Sequence, residues 1–303
     1  MTIVIIFFAI VLLVKFPELR ILLKHPFLSV YYGCRDLIQY IRHKEWNMMN
    51  TGDIVCYCSP NFGGGKTLST VAYIRALYIR YHDKPVFDKE RGKFVTQKII
   101  IYSNVDFTDI PYIKLESMAQ ISSLAKNGHA YDQDNDVLTQ IIILIDEAMS
   151  ELNSRSFKDN FNSVLLKDLV TIRHNRMSIF LTAQDFSKID TLLRSTCTKV
   201  IYAFKTWRLV VHRYYDPKQL DIAGSYLMIE PLHTGGFFAT DKHYHAYDTY
   251  AIVENLQKKF TSEDIMSEKE ILERLQPLYA APQVLNPSKG FIRSARKLSR
   301  RSK

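Results

Sequence analysis

Apolar positions along the chain gather into short dense runs separated by polar, glycine-rich joints, and the runs alternate in type. Ile54–Cys58 is short and wholly apolar, as a strand buried on both faces would be. Lys66–Tyr81 follows with no internal glycine or proline and predicts a helix. A second strand is expected over residues 97–105, closed by the polar pair Ser103 and Asn104. Residues 126–137 form a polar loop, and 139–148 (TQIIILIDEA) are a buried strand ending in two carboxylates. A helical stretch over 157–173 and a strand over 178–184 (SIFLTAQ) come next. Residues 198–216 divide into two strands with a tight turn at Lys205 and Thr206, and 217–250 are less regular and rich in Tyr and His. A charged helix is expected over 261–275, followed by a disordered basic tail. Strands alternating with helices imply a central, mostly parallel sheet covered on both faces.

The amino end follows another pattern. Residues 3–14 (IVIIFFAIVLLV) are twelve consecutive apolar residues, against the roughly 17–25 of a full membrane span. Met1, Thr2 and Phe16 extend the segment, and Lys15 can snorkel to the interface. A signal peptide carries a positive leader and a small-residue cleavage site, and neither is visible. A buried core helix is the competing reading, but an all-apolar helix directly before a basic stretch points to a membrane anchor. Six basic residues between Lys15 and Lys44 then place the rest of the chain in the cytoplasm. The expected organisation is an anchor over 1–17, a basic juxtamembrane segment over 18–50, an enzymatic domain over 51–250, and a charged helix with a basic tail over 251–303.

Composition changes this picture little. A chain of 303 residues, 47% hydrophobic, can bury a core for one or two domains. The net charge of +9 sits largely at the ends, with seven basic residues and no acidic one from Lys289 to Lys303. The body is therefore near neutral, while the tail suits anionic lipid or DNA phosphates. Cys56 and Cys58 share one face of a strand, in a spacing that matches neither zinc knuckles nor thioredoxin-like motifs, and read as core residues.

The candidate chemistry starts with SPNFGGGKT, residues 59–67. It fills the second half of the phosphate-loop pattern G-x-x-x-x-G-K-[ST], with Pro60 in place of the first glycine, so the entry turn must differ in detail. Gly63, Gly64, Gly65, Lys66, Thr67 and Leu68 are the expected ATP cradle. There backbone N–H groups at a helix start converge on phosphate oxygens, Lys66 reaches the β- and γ-phosphates, and Thr67 ligates Mg²⁺. Taken alone, the motif also fits a glycine-rich turn. Asp146 and Glu147, at the end of a central strand, supply the second piece. Asp146 is placed to hold magnesium through a water, and Glu147 to activate the attacking water, although an N-cap pair would look similar. Gln184, ending the next strand, is a candidate sensor of the γ-phosphate. An arginine finger is expected from a neighbouring subunit, with Arg173, Arg176 and Arg194 as candidates and Arg194 preferred.

The ordered set GGGKT, IIILIDEA, TIRHNRMSIFLTAQD and YDTY resembles the ATPase domain of the Zot-like proteins. These are filamentous-phage assembly proteins related to zonula occludens toxin, in the FtsK/HerA group of P-loop ATPases. The likeness covers roughly residues 51–250, with Arg173, His174 and Thr182 to Gln184 on the group's Arg-His and Thr-x-Gln positions. It implies a RecA-like α/β P-loop NTPase fold and an oligomeric, membrane-linked motor. Such a motor uses ATP and Mg²⁺ to drive single-stranded phage DNA through an envelope channel, with phage assembly or envelope proteins as partners. The apolar segment stands before the domain here, whereas Zot-like proteins more often carry theirs after it. That leaves open a DNA-packaging or conjugative translocase of another FtsK/HerA lineage, and a nucleotide-switched membrane assembly factor that does not move DNA.

Overall fold

A computed structural model describes residues 15–132, 134–148, 169, 171–247 and 266–280. The apolar run expected to enter the membrane, most of the helix expected over 157–173 and the basic tail lie outside the described residues. Among the described residues no helix is long and apolar enough to cross a membrane. The chain divides into two units, Met1–Trp46 and Asn47–Lys303.

In the first unit, helices α1 (Pro17–Lys24) and α2 (Pro26–Arg42) each open on a proline, whose missing N–H is one that a helix start leaves unbonded anyway. None of the α2 side chains is buried, and Phe27, Val30, Tyr31 and Ile38 stand exposed.

The second unit is built on one sheet of nine strands. They are β1 (Ile54–Cys58), β2 (Lys84–Asp88), β3 (Lys93–Ser103), β4 (Ile113–Lys114), β5 (Val137–Ile145), β6 (Met177–Ala183), β7 (Lys199–Thr206), β8 (Leu209–Tyr215) and β9 (His233–Phe238). Their order is β2-β3-β5-β6-β1-β7-β8-β9, with β4 on β3. The centre, from β3 to β7, is parallel; β2 at one edge and β8 and β9 at the other run antiparallel. The helices of this unit are α3 (Lys66–Tyr81), α4 (Met118–Asn127), α5 (Thr191–Thr196), α6 (Pro217–Ala223), α7 (Asp241–Tyr244) and α8 (Glu268–Ala280).

The apolar run of β5 shows why so dense a sequence forms a strand here. Successive side chains point to opposite faces. Ile141, Ile143 and Ile145 enter one core with Ile121 and Leu124 of α4. Ile142 and Leu144 enter the other with Val71, Ile74 and Tyr78 of α3. Each such side chain, once fully buried, contributes roughly 1.5–3 kcal/mol. Helix α8 adds Ile271 and Leu275 to the first core, so the charged helix expected at 261–275 is found slightly later and belongs to the α/β unit.

Several elements differ from the expectation. β2 and β9 occupy stretches that carry too little apolar alternation to announce a strand; both are antiparallel additions at the sheet's flanks, half exposed. The β7–β8 turn falls at Trp207 and Arg208, two residues later than expected, with Trp207 in the left-handed region at φ 54°. The strand expected from residue 97 starts at Lys93, because its first residues pair with β2.

Candidate active site

β1 ends at Cys58, and the chain turns immediately. The Ser59 N–H donates to the Ala183 carbonyl of β6 (3.2 Å), and its hydroxyl donates to the Asn61 carbonyl (3.2 Å), which also accepts the Gly64 N–H (3.1 Å). These bonds form the altered entry turn around Pro60. A Cβ at Gly64 would stand 1.9 Å from Ser59 Oγ, so any other residue there would displace the hydroxyl that holds the turn. Gly65 is the N-cap of α3 with φ +90°, in the left-handed region where a side chain is strained. The first turn of α3 is tied back to the loop: the Ser69 hydroxyl donates to the Gly65 carbonyl (2.6 Å) and the Thr70 hydroxyl to that of Lys66 (2.9 Å).

Strand register delivers the acidic half. Ile145 of β5 pairs with Leu181 of β6, so Asp146 and Thr182 come level at the carboxyl ends of their strands. Ser103 of β3 pairs with Leu144, which brings Asn104 alongside. The Asn104 side chain accepts the Asp146 N–H (2.8 Å) and donates to the Asp146 carbonyl (3.1 Å), clamping that peptide from both sides. Thr182 Oγ1 donates to Asp146 Oδ1 (2.5 Å) and accepts the Glu147 N–H (3.0 Å). This bond supports Glu147 in the left-handed region at φ 52°, a sparsely populated conformation for a residue with a side chain. Thr67 Oγ1 also donates to Asp146 Oδ1 (2.9 Å), and the Lys66 ammonium forms an ion pair with Glu147.

Asp146 is almost fully buried. Burial pushes its carboxyl above the usual carboxylate range, against the hydrogen bonds from Thr182 and Thr67 and the charge of Lys66. A buried carboxylate and a hydroxyl within hydrogen-bond distance of each other are hard oxygen donors, and added positive charge would stabilise the ionised acid. That donor set fits magnesium, which takes few protein ligands and completes its shell with water and phosphate oxygens. Asp146 and Glu147 face a pocket of about 410 Å³, lined also by Gly63 to Leu68, Asn104, Gln184, Lys205 and Tyr244.

Behind the loop, His212 of β8 is buried against Tyr57, Tyr214 and Phe237, and its Nε2 lies 2.8 Å from Ser69 Oγ. The Ser69 hydroxyl already donates to Gly65, so the imidazole is the donor and needs only its neutral form. Burial pulls the His212 pKa down to about 4, from an unfolded value near 6.5. The stabilisation is therefore complete above about pH 6.5 and lost as pH falls from there towards 4, by up to about 1.4 kcal/mol per unit. Urea midpoints between pH 7 and 5 should show this slope in the wild type and a slope shallower by one proton in His212→Gln. Equal slopes would mean that His212 does not titrate this way.

A phosphate loop and an Asp-Glu strand end are shared by many NTPases, and the sequence match is more particular. The model of the zonular occludens toxin (Zot) family matches residues 61–233, more than half of the chain. The chain belongs to the Zot family. No curated protein matches it. Among solved structures it is similar to the N-terminal domain of zonular occludens toxin from Neisseria meningitidis. That likeness has 18% identity and a TM-score of 0.41, over 65% of this chain and 99% of that one. It is also similar to the genome packaging NTPase B204 from Sulfolobus turreted icosahedral virus 2 in complex with ATP-gammaS. There the identity is 12% and the TM-score 0.37, over 56% of this chain and 95% of that one.

In this Zot-family chain the residues singled out from sequence fall into two groups. Gly63, Gly64, Gly65, Lys66, Thr67, Asp146, Glu147 and Gln184 converge on one pocket, as does Leu68, whose side chain is buried beside Val210 and Ala239. Arg173, Arg176 and Arg194 do not. Arg173 and Arg176 precede β6 and Arg194 precedes β7, at the amino ends of parallel strands and so at the sheet edge opposite the pocket. There Arg176 pairs with Asp132 (2.9 Å) and Arg194 with Asp221 (2.5 Å). Sequence reasoning named Asn104 and Thr182, one as the polar end of a strand and one within a family motif, but missed the part each plays around Asp146. Lys205 and Tyr244 gave no signal in the sequence.

Proposed function

We propose that the chain is a P-loop ATPase that couples ATP hydrolysis to moving viral or mobile-element DNA during phage assembly, on the cytoplasmic face of the host inner membrane. The observation that carries the enzymatic part is the ion pair between Lys66 and Glu147, in the pocket that the Thr67–Asp146 pair and Gln184 also line. A triphosphate entering the pocket offers Lys66 a denser negative charge than one carboxylate, so the ammonium moves to the phosphates and Glu147 is released. The freed carboxylate then accepts a proton from water as the water oxygen attacks the γ-phosphorus and the bond to the β-phosphate oxygen breaks. Gln184 orients that water or the γ-phosphate. Thr67 and Asp146 are the residues that would hold magnesium, which when bound screens the phosphate charge.

Zot-family membership supports the DNA and assembly part, and the basic ends and the apolar first residues support contact with nucleic acid and membrane. The remote position of Arg173, Arg176 and Arg194 suits a head-to-tail ring, in which one subunit's far edge meets the next subunit's pocket. The test is ATP hydrolysis by the full chain in detergent, alone and with single- or double-stranded DNA. Turnover that rises with DNA is expected. Turnover indifferent to both DNAs would remove the translocation half of the reading, and no turnover would remove all of it.

A further inference from the structure

We propose that Lys205 is a second phosphate-binding cation of the nucleotide site, held on the Tyr244 ring until a polyphosphate arrives. This rests on the pocket being a nucleotide site. β7 runs parallel to β1 with Cys58 opposite Tyr202, so Lys205 lies three residues beyond the end of β1, level with the loop. Its stem lies along the loop: a Cβ placed on Gly65 would meet Lys205 Cβ at 3.3 Å and Cδ at 3.7 Å. Gly65 caps α3, so the lysine stem runs past the point where unbonded helix N–H groups open onto the pocket.

The ammonium is parked over an aromatic face. Lys205 Nζ lies 4.8 Å from the Tyr244 ring centroid, and both residues line the pocket. The neighbouring cation at the hairpin tip, Arg208, also lies over the Tyr244 ring, 5.7 Å from its centroid, but is tied to Asp241 (2.6 Å) and the Ala239 carbonyl (3.3 Å). Among the described residues no carboxylate pairs with Lys205. A cation over a ring is held more weakly than an ammonium hydrogen-bonded to phosphate, and the four-carbon stem can swing by rotamer changes alone. Tyr244 thus does for Lys205 what Glu147 does for Lys66. Each keeps a positive side chain at the pocket wall in a contact that a triphosphate can displace. The two cations reach the pocket from different elements: one begins α3, the other comes from β7.

The alternative is that Lys205 only covers Gly65 and packs on Tyr244. Lys205→Met keeps that stem and removes the charge. ATP binding to the full-length protein, measured by titration calorimetry, should weaken about 10- to 100-fold in Lys205→Met and return to within a few-fold in Lys205→Arg. In the wild type, acetic anhydride should label Lys205 in the free protein and label it much less with ATP present. Unchanged affinity in Lys205→Met, or labelling that ATP does not reduce, overturns the proposal. Lys66→Met measured in parallel separates the two levels. If it abolishes binding while Lys205→Met has no effect, only this inference falls. If the wild type binds no ATP, the nucleotide site falls with it.

Discussion

Replacing Lys66 with alanine should lower ATP turnover by about 10²–10³-fold or more while leaving the protein folded. Lys66 is the first residue of α3, its ammonium faces the pocket, and its carboxylate partner Glu147 lies across the mouth of the site. Removing a preorganised positive charge from the place where negative charge develops typically costs that much. Stability should change far less. The Glu147 side chain keeps 37% of its surface exposed, so it stays in contact with water when the lysine is gone. Solvent-exposed pairs are worth about 1 kcal/mol or less, and this one, with the Lys66 side chain 16% exposed, lies a little above that range. Steady-state hydrolysis and a urea midpoint on the same preparation check both halves. A mutant that folds and still hydrolyses ATP at the wild-type rate would show that the chemistry lies elsewhere.

Glu147→Gln should separate binding from hydrolysis. The amide keeps the shape of the side chain and the Thr182-supported backbone at φ 52°, but it cannot accept the water's proton. Turnover is expected to drop about 10²–10⁴-fold, the range for losing a general base. Nucleotide affinity should hold or improve, because Lys66 no longer has to leave a carboxylate to reach the phosphates. Calorimetry paired with a phosphate-release assay reads both effects. A glutamine variant that turns over normally would take the general-base role away from Glu147. One that loses ATP affinity along with turnover would refute the displacement of Glu147 by phosphate.

Both mutations address residues that could be found by reading along the chain. The loop is local: Gly65, Lys66 and Thr67 are successive residues of one turn, and the helix follows without a break. The end of β5 is legible for a related reason. A run of five apolar residues can sit in a sheet covered on both faces, and the first charged pair after it must lie at the strand's end, where the sheet opens onto the pocket. The expected α/β arrangement with a mostly parallel centre follows from those patterns, and the sheet has it.

The support around these residues depends on distances across the sheet that no spacing encodes. Asn104 clamps the Asp146 peptide because β3 and β5 pair in a register that sets Ser103 against Leu144; a shift of one residue would turn its side chain to the other face. Thr182 stands between the loop and the acidic pair because β6 lies between β5 and β1, an order that the sequence of strands along the chain does not reveal. Lys205 shows the limit most clearly. The polar pair Lys205-Thr206 looks like a turn, and a turn lysine would point into solvent. The chain instead turns at Trp207, a bulky residue in the left-handed region that no propensity would place there, and Lys205 becomes a strand residue lying over Gly65. Sequence by itself determined which residues gather at the pocket, because contiguous backbone makes the loop and hydrophobic burial makes the strand ends. Only the tertiary structure decided what holds those residues in place and which second cation faces them, because strand order and register are settled by packing across the whole sheet.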